Sequence, residues 1–158
     1  MNITILCVGK IKEKYFTAAI DEYKKRMSRF AKFDIIEVPD EKIPENASVK
    51  EQETVKEKEG RAVLSRLKPG GSVIALCIEG TELTSEQLAE KIERFSMTSS
   101  SVTFIIGGSL GLSDEVKNAA DLKLSFGRMT LPHQLMRVVL AEQIYRAFKI
   151  NRNESYHK

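Results

Sequence analysis

The chain has only two cysteines, two histidines and no long apolar run among its 158 residues. Cys7 and Cys77 both lie in apolar, strand-like segments, so we expect them to be reduced and buried rather than joined in a disulfide. The cysteines and histidines lack the spacing of zinc ligands, which disfavours a structural metal site. No stretch is long enough to cross a membrane, and the N-terminus lacks the pattern of an export signal. The sequence therefore predicts a cytoplasmic protein without a metal or a membrane segment.

The composition is that of an ordinary globular protein, with 42% apolar and 30% charged residues. A chain of this length can bury a hydrophobic core without disulfides or metals. We expect one domain over residues 1–158.

Short apolar runs alternate along the chain with segments whose apolar residues recur at helical spacing. The apolar runs predict strands at residues 3–8, 34–38, 73–78, 102–106 and 122–125. The helical spacing predicts helices at residues 15–30, 49–67, 85–95, 113–120 and 133–150, the third of them opened by a capping box from Thr84 to Gln87. Because the strands are almost continuously apolar, as in parallel sheets covered on both faces, we expect an α/β fold. Its predicted architecture is a three-layer sandwich on a mainly parallel sheet.

Positive charge is concentrated at the C-terminal end. From residue 123 onward there are seven basic and two acidic residues, whereas the preceding 122 residues hold 18 basic and 20 acidic ones. Such asymmetry is typical of a surface that faces a polyanion. The chain then ends in Tyr156, His157 and Lys158, which are a stacking group, a titratable group and a cation that can reach a phosphate. The alternative is a solvated helix with a frayed end.

Three glycine-bearing segments follow predicted strands, at residues 76–80, 106–111 and 125–132. In open α/β sheets ligands bind beyond the carboxyl ends of the strands, and glycine lets the backbone approach a ligand closely. The three loops could therefore converge on one small molecule, although each glycine could also serve only to shape a turn. The spacing matches neither the dinucleotide fingerprint nor a P-loop, which disfavours NAD and ATP.

The last predicted helix carries Glu142, Arg146 and Lys149 on one face, at positions i, i+4 and i+7. Glu142 and Arg146 could be a functional pair or a stabilising surface pair. The opposite side is apolar, and together with the basic tail it leads us to expect a homodimer. In that homodimer one chain's glycine loops would meet the other's Tyr156, His157 and Lys158.

Four segments occur in order in this chain: FIIGGSLGL at 104–112, MTLPHQ at 129–134, MRVVLAEQIYRAF at 136–148 and YHK at 156–158. With VGK at 8–10, IEVP at 36–39 and KEG at 58–60, they make essentially the whole chain resemble the RlmH family. The members of this family are SPOUT-class methyltransferases that act on ribosomal RNA of the large subunit.

The resemblance implies S-adenosylmethionine as methyl donor, N3 of a pseudouridine in 23S rRNA of the ribosome as acceptor, and a C-terminal trefoil knot. The cofactor-binding positions that it implies are Leu76, Gly108, Gly127, Arg128, Met129, Thr130, Leu131 and Pro132. The catalytic polar positions that it implies are His133, Glu142, Arg146, Tyr156, His157 and Lys158. The chain departs from the family pattern at Asn153 and Ser155, where Gly and Pro are frequent, and at Gly127, where Ser is common.

The reaction needs positioning and removal of the acceptor's proton more than it needs a nucleophilic side chain. Glu142 and His157 are both candidates for taking that proton, and the cations Arg146 and His157 could instead stabilise the N3 anion. Two rival functions remain open on the residues alone. One is a ribosome-associated protein that binds without catalysis, and the other is a dimeric regulator that holds a purine nucleotide.

Overall fold

The computed structural model describes residues 1–158, which form a five-stranded sheet between two layers of helices. The strands are β1 (Asn2–Val8), β2 (Lys32–Val38), β3 (Ser72–Glu82), β4 (Ser101–Ile106) and β5 (Leu122–Ser125). The helices are α1 (Lys14–Met27), α2 (Val49–Leu64), α3 (Ser85–Thr98), α4 (Asp114–Ala119) and α5 (His133–Asn151). The strand order is β2-β1-β4-β3-β5, and every neighbouring pair is parallel. The predicted α/β sandwich on a parallel sheet is confirmed.

The sheet separates two hydrophobic cores, because successive residues of a strand point to opposite faces. Ile5 and Phe104 face the larger core, which α1, α3 and α5 cover. Leu6 and Ile105 face the smaller core, which α2 and α4 cover. Every residue of β4 is buried, as expected of a central strand covered on both faces. None of the helices is both long and apolar enough to cross a membrane.

Two helices begin with capping boxes. The predicted box of α3 is present, since the Thr84 hydroxyl accepts from the Gln87 backbone N–H and the Gln87 side chain accepts from the Thr84 N–H. Ser48 and Glu51 make the same pair of bonds at the start of α2. A cap of this kind stabilises a helix by roughly 1 kcal/mol.

The predicted helix ends at residues 30 and 67 are each three residues too late. Beyond Leu64 the chain closes its turns with i to i+3 bonds, from Arg66 N–H to the Val63 carbonyl and from Leu67 N–H to the Leu64 carbonyl. Beyond Met27 the Phe30 N–H bonds the Met27 carbonyl in the same way. The apolar pattern continues through these tighter turns, so it overstates the length of the helices.

β3 also differs from its prediction, because it runs to Glu82 instead of ending at residue 78. Leu76 and Thr81 both pair with Leu124 of β5, so the intervening residues 77–80 leave the ladder as a bulge. Cys77 lies on this bulge and is only half-buried, which corrects the expectation that both cysteines are buried, whereas Cys7 is fully buried.

Candidate active site

A cavity of about 320 Å³ lies beyond the carboxyl ends of β3, β4 and β5. This is the position at which open α/β sheets bind ligands. Residues from all three predicted glycine segments line this cavity, and the lining is mainly apolar. We call it the strand-end cavity.

The loop after β4 requires glycine to keep its shape. A Cβ on Gly107 would lie 2.8 Å from the Gly111 carbonyl carbon, and Gly111 has a φ of +84°. The Gly111 N–H donates to the Gly108 carbonyl at 3.0 Å, which closes the loop into a tight turn. A Cβ on Gly108 would lie 3.2 Å from Val8 Cγ1 and 3.4 Å from the Glu59 carboxylate, so a larger side chain there must displace these groups or shift the loop that lines the cavity.

Most of the predicted cofactor-binding residues line the strand-end cavity. Those that line it are Leu76, Gly108, Gly127, Met129, Thr130 and Leu131. Arg128 and Pro132 do not line it: Arg128 is exposed, and Pro132 is the residue that precedes α5. His133, predicted as a catalytic residue, is the first residue of α5 and lines the cavity as well.

Helix α4 supplies a cavity residue that the sequence did not predict, Lys117, beside residues of the predicted segments 76–80 and 125–132. Ile78 on the bulge and Phe126 after β5 are apolar, partly exposed and part of the lining. Lys117 of α4 forms an ion pair with Glu79 of the bulge, which raises the pKa of the lysine and lowers that of the glutamate. Periodicity could not single out Lys117, because it belongs to a short helix. Ile78 and Phe126, by contrast, lie in the glycine segments that the sequence predicted to meet at a ligand.

A buried arginine joins the start of α5 to the first two strands. Arg137 is fully buried, and its Nη1 donates to Glu37 Oε2 at 2.7 Å while its Nη2 donates to the Gly9 carbonyl at 2.8 Å. The Glu37 carboxylate also accepts from the Ile11 N–H at 2.9 Å. One turn earlier, His133 has a pKa below that of an ordinary histidine because it is buried and lies near Arg137. The His133 Nδ1 and the Arg137 Nε have no hydrogen-bond partner.

A second group of predicted residues meets further along α5. The Glu142 carboxylate accepts from Arg146, with Nη2 at 2.7 Å and Nε at 2.9 Å, and from the Tyr156 hydroxyl at 2.8 Å. The His157 ring lies 3.3 Å from Arg146 Nη1, and its Nε2 is 2.7 Å from Glu86 on α3. We call Glu142, Arg146, Tyr156 and His157 the tail cluster. Its members are half-buried, so Glu142 and Arg146 are more than an exposed surface pair.

The last turn of α5 carries a separate ion pair. Lys149, which was predicted to share a helix face with Glu142 and Arg146, pairs with Glu154 at 2.7 Å. Lys158 is exposed and forms no ion pair. Asn153, where the RlmH pattern often has glycine, has a φ of +52°, which is a conformation that asparagine tolerates better than most residues.

Hydrogen bonds hold Glu142 in its ionised form. Burial acts to raise its pKa, but two tyrosine hydroxyls and the Arg146 guanidinium outweigh burial, so the pKa lies below that of an ordinary glutamate. Burial and the neighbouring Glu142 carboxylate raise the pKa of Tyr156, and the same causes raise the pKa of Tyr23 to about 12. Glu142 is therefore ionised and Tyr156 neutral near neutral pH.

No residue of the tail cluster lines the strand-end cavity of its own chain. A second cavity of about 260 Å³, lined by Ser85, Phe126, Val139 and Gln143 among others, lies between them. The arrangement thus has a mainly apolar ligand cavity bounded by backbone, and a charged cluster set apart from it.

Comparisons with known proteins agree with this architecture. A family model described as "Predicted SPOUT methyltransferase" matches residues 1–157. A protein of Clostridium perfringens (strain SM101 / Type A) named ribosomal RNA large subunit methyltransferase H 1 is 58% identical over 159 residues, covering all of both chains. Proteins named ribosomal RNA large subunit methyltransferase H from Bifidobacterium animalis subsp. lactis and Lactiplantibacillus plantarum are 59% and 58% identical, again over the full length of both chains.

Among solved structures, a probable methylase family protein from Haemophilus influenzae Rd KW20 superposes with a TM-score of 0.55 at 12% identity. The superposition covers 99% of this chain and 70% of that one. At this identity the likeness concerns the fold alone.

Proposed function

The chain belongs to the RlmH family of SPOUT methyltransferases, and from that membership we propose that it transfers a methyl group from S-adenosylmethionine to N3 of a pseudouridine in 23S rRNA. The observation that carries the proposal is the strand-end cavity, a space lined partly by glycine, in a chain whose tail cluster is held together by hydrogen bonds. The relatives' names speak of ribosomal RNA of the large subunit, and the basic C-terminal end suits an RNA partner. A target on ribosomes also implies the cytoplasm.

The cavity fits a donor of this kind. Gly108 and Gly127 bring backbone without a side chain to the cavity wall, and apolar side chains such as Ile78 and Leu131 offer a surface for a flat purine. Leu76, Gly108 and the segment 127–132 would hold the donor, chiefly through backbone groups, since most of these residues have no polar side chain. S-adenosylmethionine supplies a methyl group activated by a sulfonium.

The chain's own residues position the acceptor and provide for its proton. The N3–H of pseudouridine is weakly acidic, and the nitrogen must lose this proton as it gains the methyl group. Both oxygens of Glu142 are already hydrogen-bonded, and its pKa is low, which makes it a poor base. We therefore assign Glu142 to holding Arg146 and Tyr156. With Nε2 of His157 directed to Glu86, we assign its Nδ1 to receiving the proton as Arg146 turns from this nitrogen to the acceptor. Arg146 would stabilise the anion that develops at N3.

The distance of the tail cluster from its own cavity supports a homodimer in which each site combines one chain's cavity with its partner's tail. The second cavity supports a different arrangement, in which the acceptor reaches across a single chain from Phe126 towards Gln143. The composite arrangement agrees better with the apolar side of α5, where Val138 and Val139 remain only half-buried.

Methyl incorporation into ribosomes from a strain that lacks the enzyme tests the activity, alongside a calorimetric titration of the donor. S-adenosylmethionine and S-adenosylhomocysteine should bind, and ATP and NAD should not. A protein that binds the donor but leaves such ribosomes unmethylated would favour the non-catalytic rival. Binding of ATP in place of the donor would favour the nucleotide regulator.

Mixing two inactive variants separates the two arrangements of the site. Gly108→Val damages the cavity and leaves the tail, whereas deletion of residues 156–158 does the reverse. If the site is shared, refolding the two variants together should restore about a quarter of wild-type activity, since about half of the dimers are mixed and each mixed dimer has one intact site. Absence of any recovery in a demonstrated mixed dimer would leave the one-chain arrangement.

A further inference from the structure

Cations from two helices converge on an aromatic cluster beside the tail. The guanidinium carbons of Arg29, after α1, and Arg152, after α5, lie 4.9 and 5.0 Å from the centre of the Phe30 ring. Arg26 lies 5.6 Å from the ring centre of Tyr23 and 5.8 Å from that of Tyr145. We call Arg26, Arg29 and Arg152 the basic surface. All three are exposed.

The charge of Arg152 is not balanced by an acidic partner. Its side chain forms no ion pair and no hydrogen bond, whereas Arg26 and Arg29 each pair with one glutamate. A guanidinium held over an aromatic ring loses little further freedom on binding and keeps N–H groups available. Its five donors match the oxygens of a phosphate.

The basic surface is continuous with the tail cluster. The Phe30 and Tyr145 ring centres are 6.1 Å apart, and the Tyr145 and Tyr156 ring centres are 5.0 Å apart. Arg146 lies 4.6 Å from the Tyr156 ring centre, so one chain of rings joins the catalytic arginine to the basic surface. A nucleotide strand at Tyr156 would thus have its neighbouring phosphates within reach of Arg152 and Arg29.

We propose that Arg26, Arg29 and Arg152 bind phosphates of the ribosomal RNA strand that flanks the methylated nucleotide. The inference rests on the proposed function, in that Tyr156 and His157 face the RNA. Cations at the C-termini of α1 and α5 also interact favourably with the helix dipoles. If that were their whole role, replacing them would lower the stability of the protein without changing its affinity for RNA.

The test compares Arg152→Gln, Arg29→Gln and the double variant with Arg66→Gln. Arg66 is a matched control because it is exposed, forms no ion pair and follows α2 in the opposite helix layer. Binding to large ribosomal subunits is measured by sedimentation at several salt concentrations. We expect the double variant to bind about tenfold more weakly at low salt and its slope of log affinity against log salt to fall by about 0.7 for each lost contact to single-stranded RNA. Arg66→Gln should match the wild type.

Arg152→Lys keeps the charge without the planar stack and should retain most of the salt slope, which separates lost charge from lost packing. Donor affinity should be unchanged in every variant, and the melting temperature should fall only slightly, because exposed ion pairs and helix-dipole contacts stabilise little. A double variant indistinguishable from Arg66→Gln would overturn the proposal, and so would weaker binding at an unchanged salt slope, which would indicate a contact with ribosomal protein. Wild-type protein that shows this binding but does not methylate would refute the proposed function and leave the basic surface standing.

Discussion

The strand-end cavity is shaped largely by backbone and glycine, whereas the tail cluster consists of charged and hydroxyl side chains that hold one another in place. At the cavity, Gly107 and Gly111 permit a turn that no other residue could form without strain. At the tail, Glu142 is connected to Arg146 and Tyr156 by hydrogen bonds of 2.9 Å or less. The first region is suited to holding a ligand, and the second to handling charge.

Because the two regions are built differently, substitutions should be able to separate donor binding from the handling of the acceptor. A change in the glycine loop should reduce donor binding and leave the acceptor side intact, while a change in the tail cluster should do the opposite. Four measurements can break or sharpen this division.

Deletion of residues 156–158 should give the largest effect, a fall in methylation of about 10³-fold, because it removes the group proposed to take the proton and the ring that lies against Arg146. Donor affinity should be unchanged. Tyr156 also packs against the core, so the free energy of unfolding should fall by about 1–2 kcal/mol. Deletion of Lys158 alone separates the loss of the last cation from the loss of the ring and the imidazole. Methylation by the three-residue deletion at the wild-type rate would remove the tail from the site.

Glu142→Gln should lower methylation by about 10²-fold, because the uncharged amide no longer holds Arg146 and Tyr156 as an ionised acceptor does. Its matched control is Glu90→Gln, which removes the acid of another i, i+4 pair, with Arg94, on the exposed side of α3. The control should leave the methylation rate unchanged. It should change the free energy of unfolding by no more than about 0.5 kcal/mol. Equal effects of the two variants would mean that Glu142 is only a surface charge.

Gly108→Val should weaken donor binding by about tenfold or more, because the Cβ alone approaches Val8 and Glu59 at 3.2 and 3.4 Å and the two added methyl groups must shift the loop that lines the cavity. Ser109→Val is the control, since Ser109 is exposed in the same loop and does not line the cavity. Calorimetric titration with S-adenosylhomocysteine measures both. Unchanged affinity in folded Gly108→Val would refute the assignment of the cavity.

The smallest expected effect concerns pH and stability. Burial and Arg137 lower the pKa of His133 in the folded state, so the unfolded chain takes up its proton at a higher pH. This contribution to stability is complete above the unfolded pKa of about 6.5 and is lost as pH falls through the lower folded value. Urea unfolding between neutral and mildly acidic pH should show a shallower decline in His133→Asn than in wild type. Parallel pH profiles would mean that His133 is freely protonated at the cavity.

Sequence alone could predict the strand-end glycines, because parallel strands must end at one edge and the ligand rule then applies to Gly108 and Gly127. It could not predict Arg137 with Glu37, since these residues are 100 positions apart and only folding brings them together. The bulge at residues 77–80 was missed because an apolar run does not reveal where a ladder breaks. The trefoil knot and the single domain over residues 1–158 stay predictions.

The buried hydrogen bonds of Arg137 also constrain the order in which the chain can fold. The bond from Arg137 to the Gly9 carbonyl spans 128 positions, so the loop after β1 is completed by a helix far along the chain. Closing so long a loop is entropically costly and slows folding. Until α5 docks, Glu37 and the Gly9 carbonyl lack their partner, and the strand-end cavity lacks His133 and Met136 from its wall. The cavity is therefore complete only once α5 has packed against the first two strands.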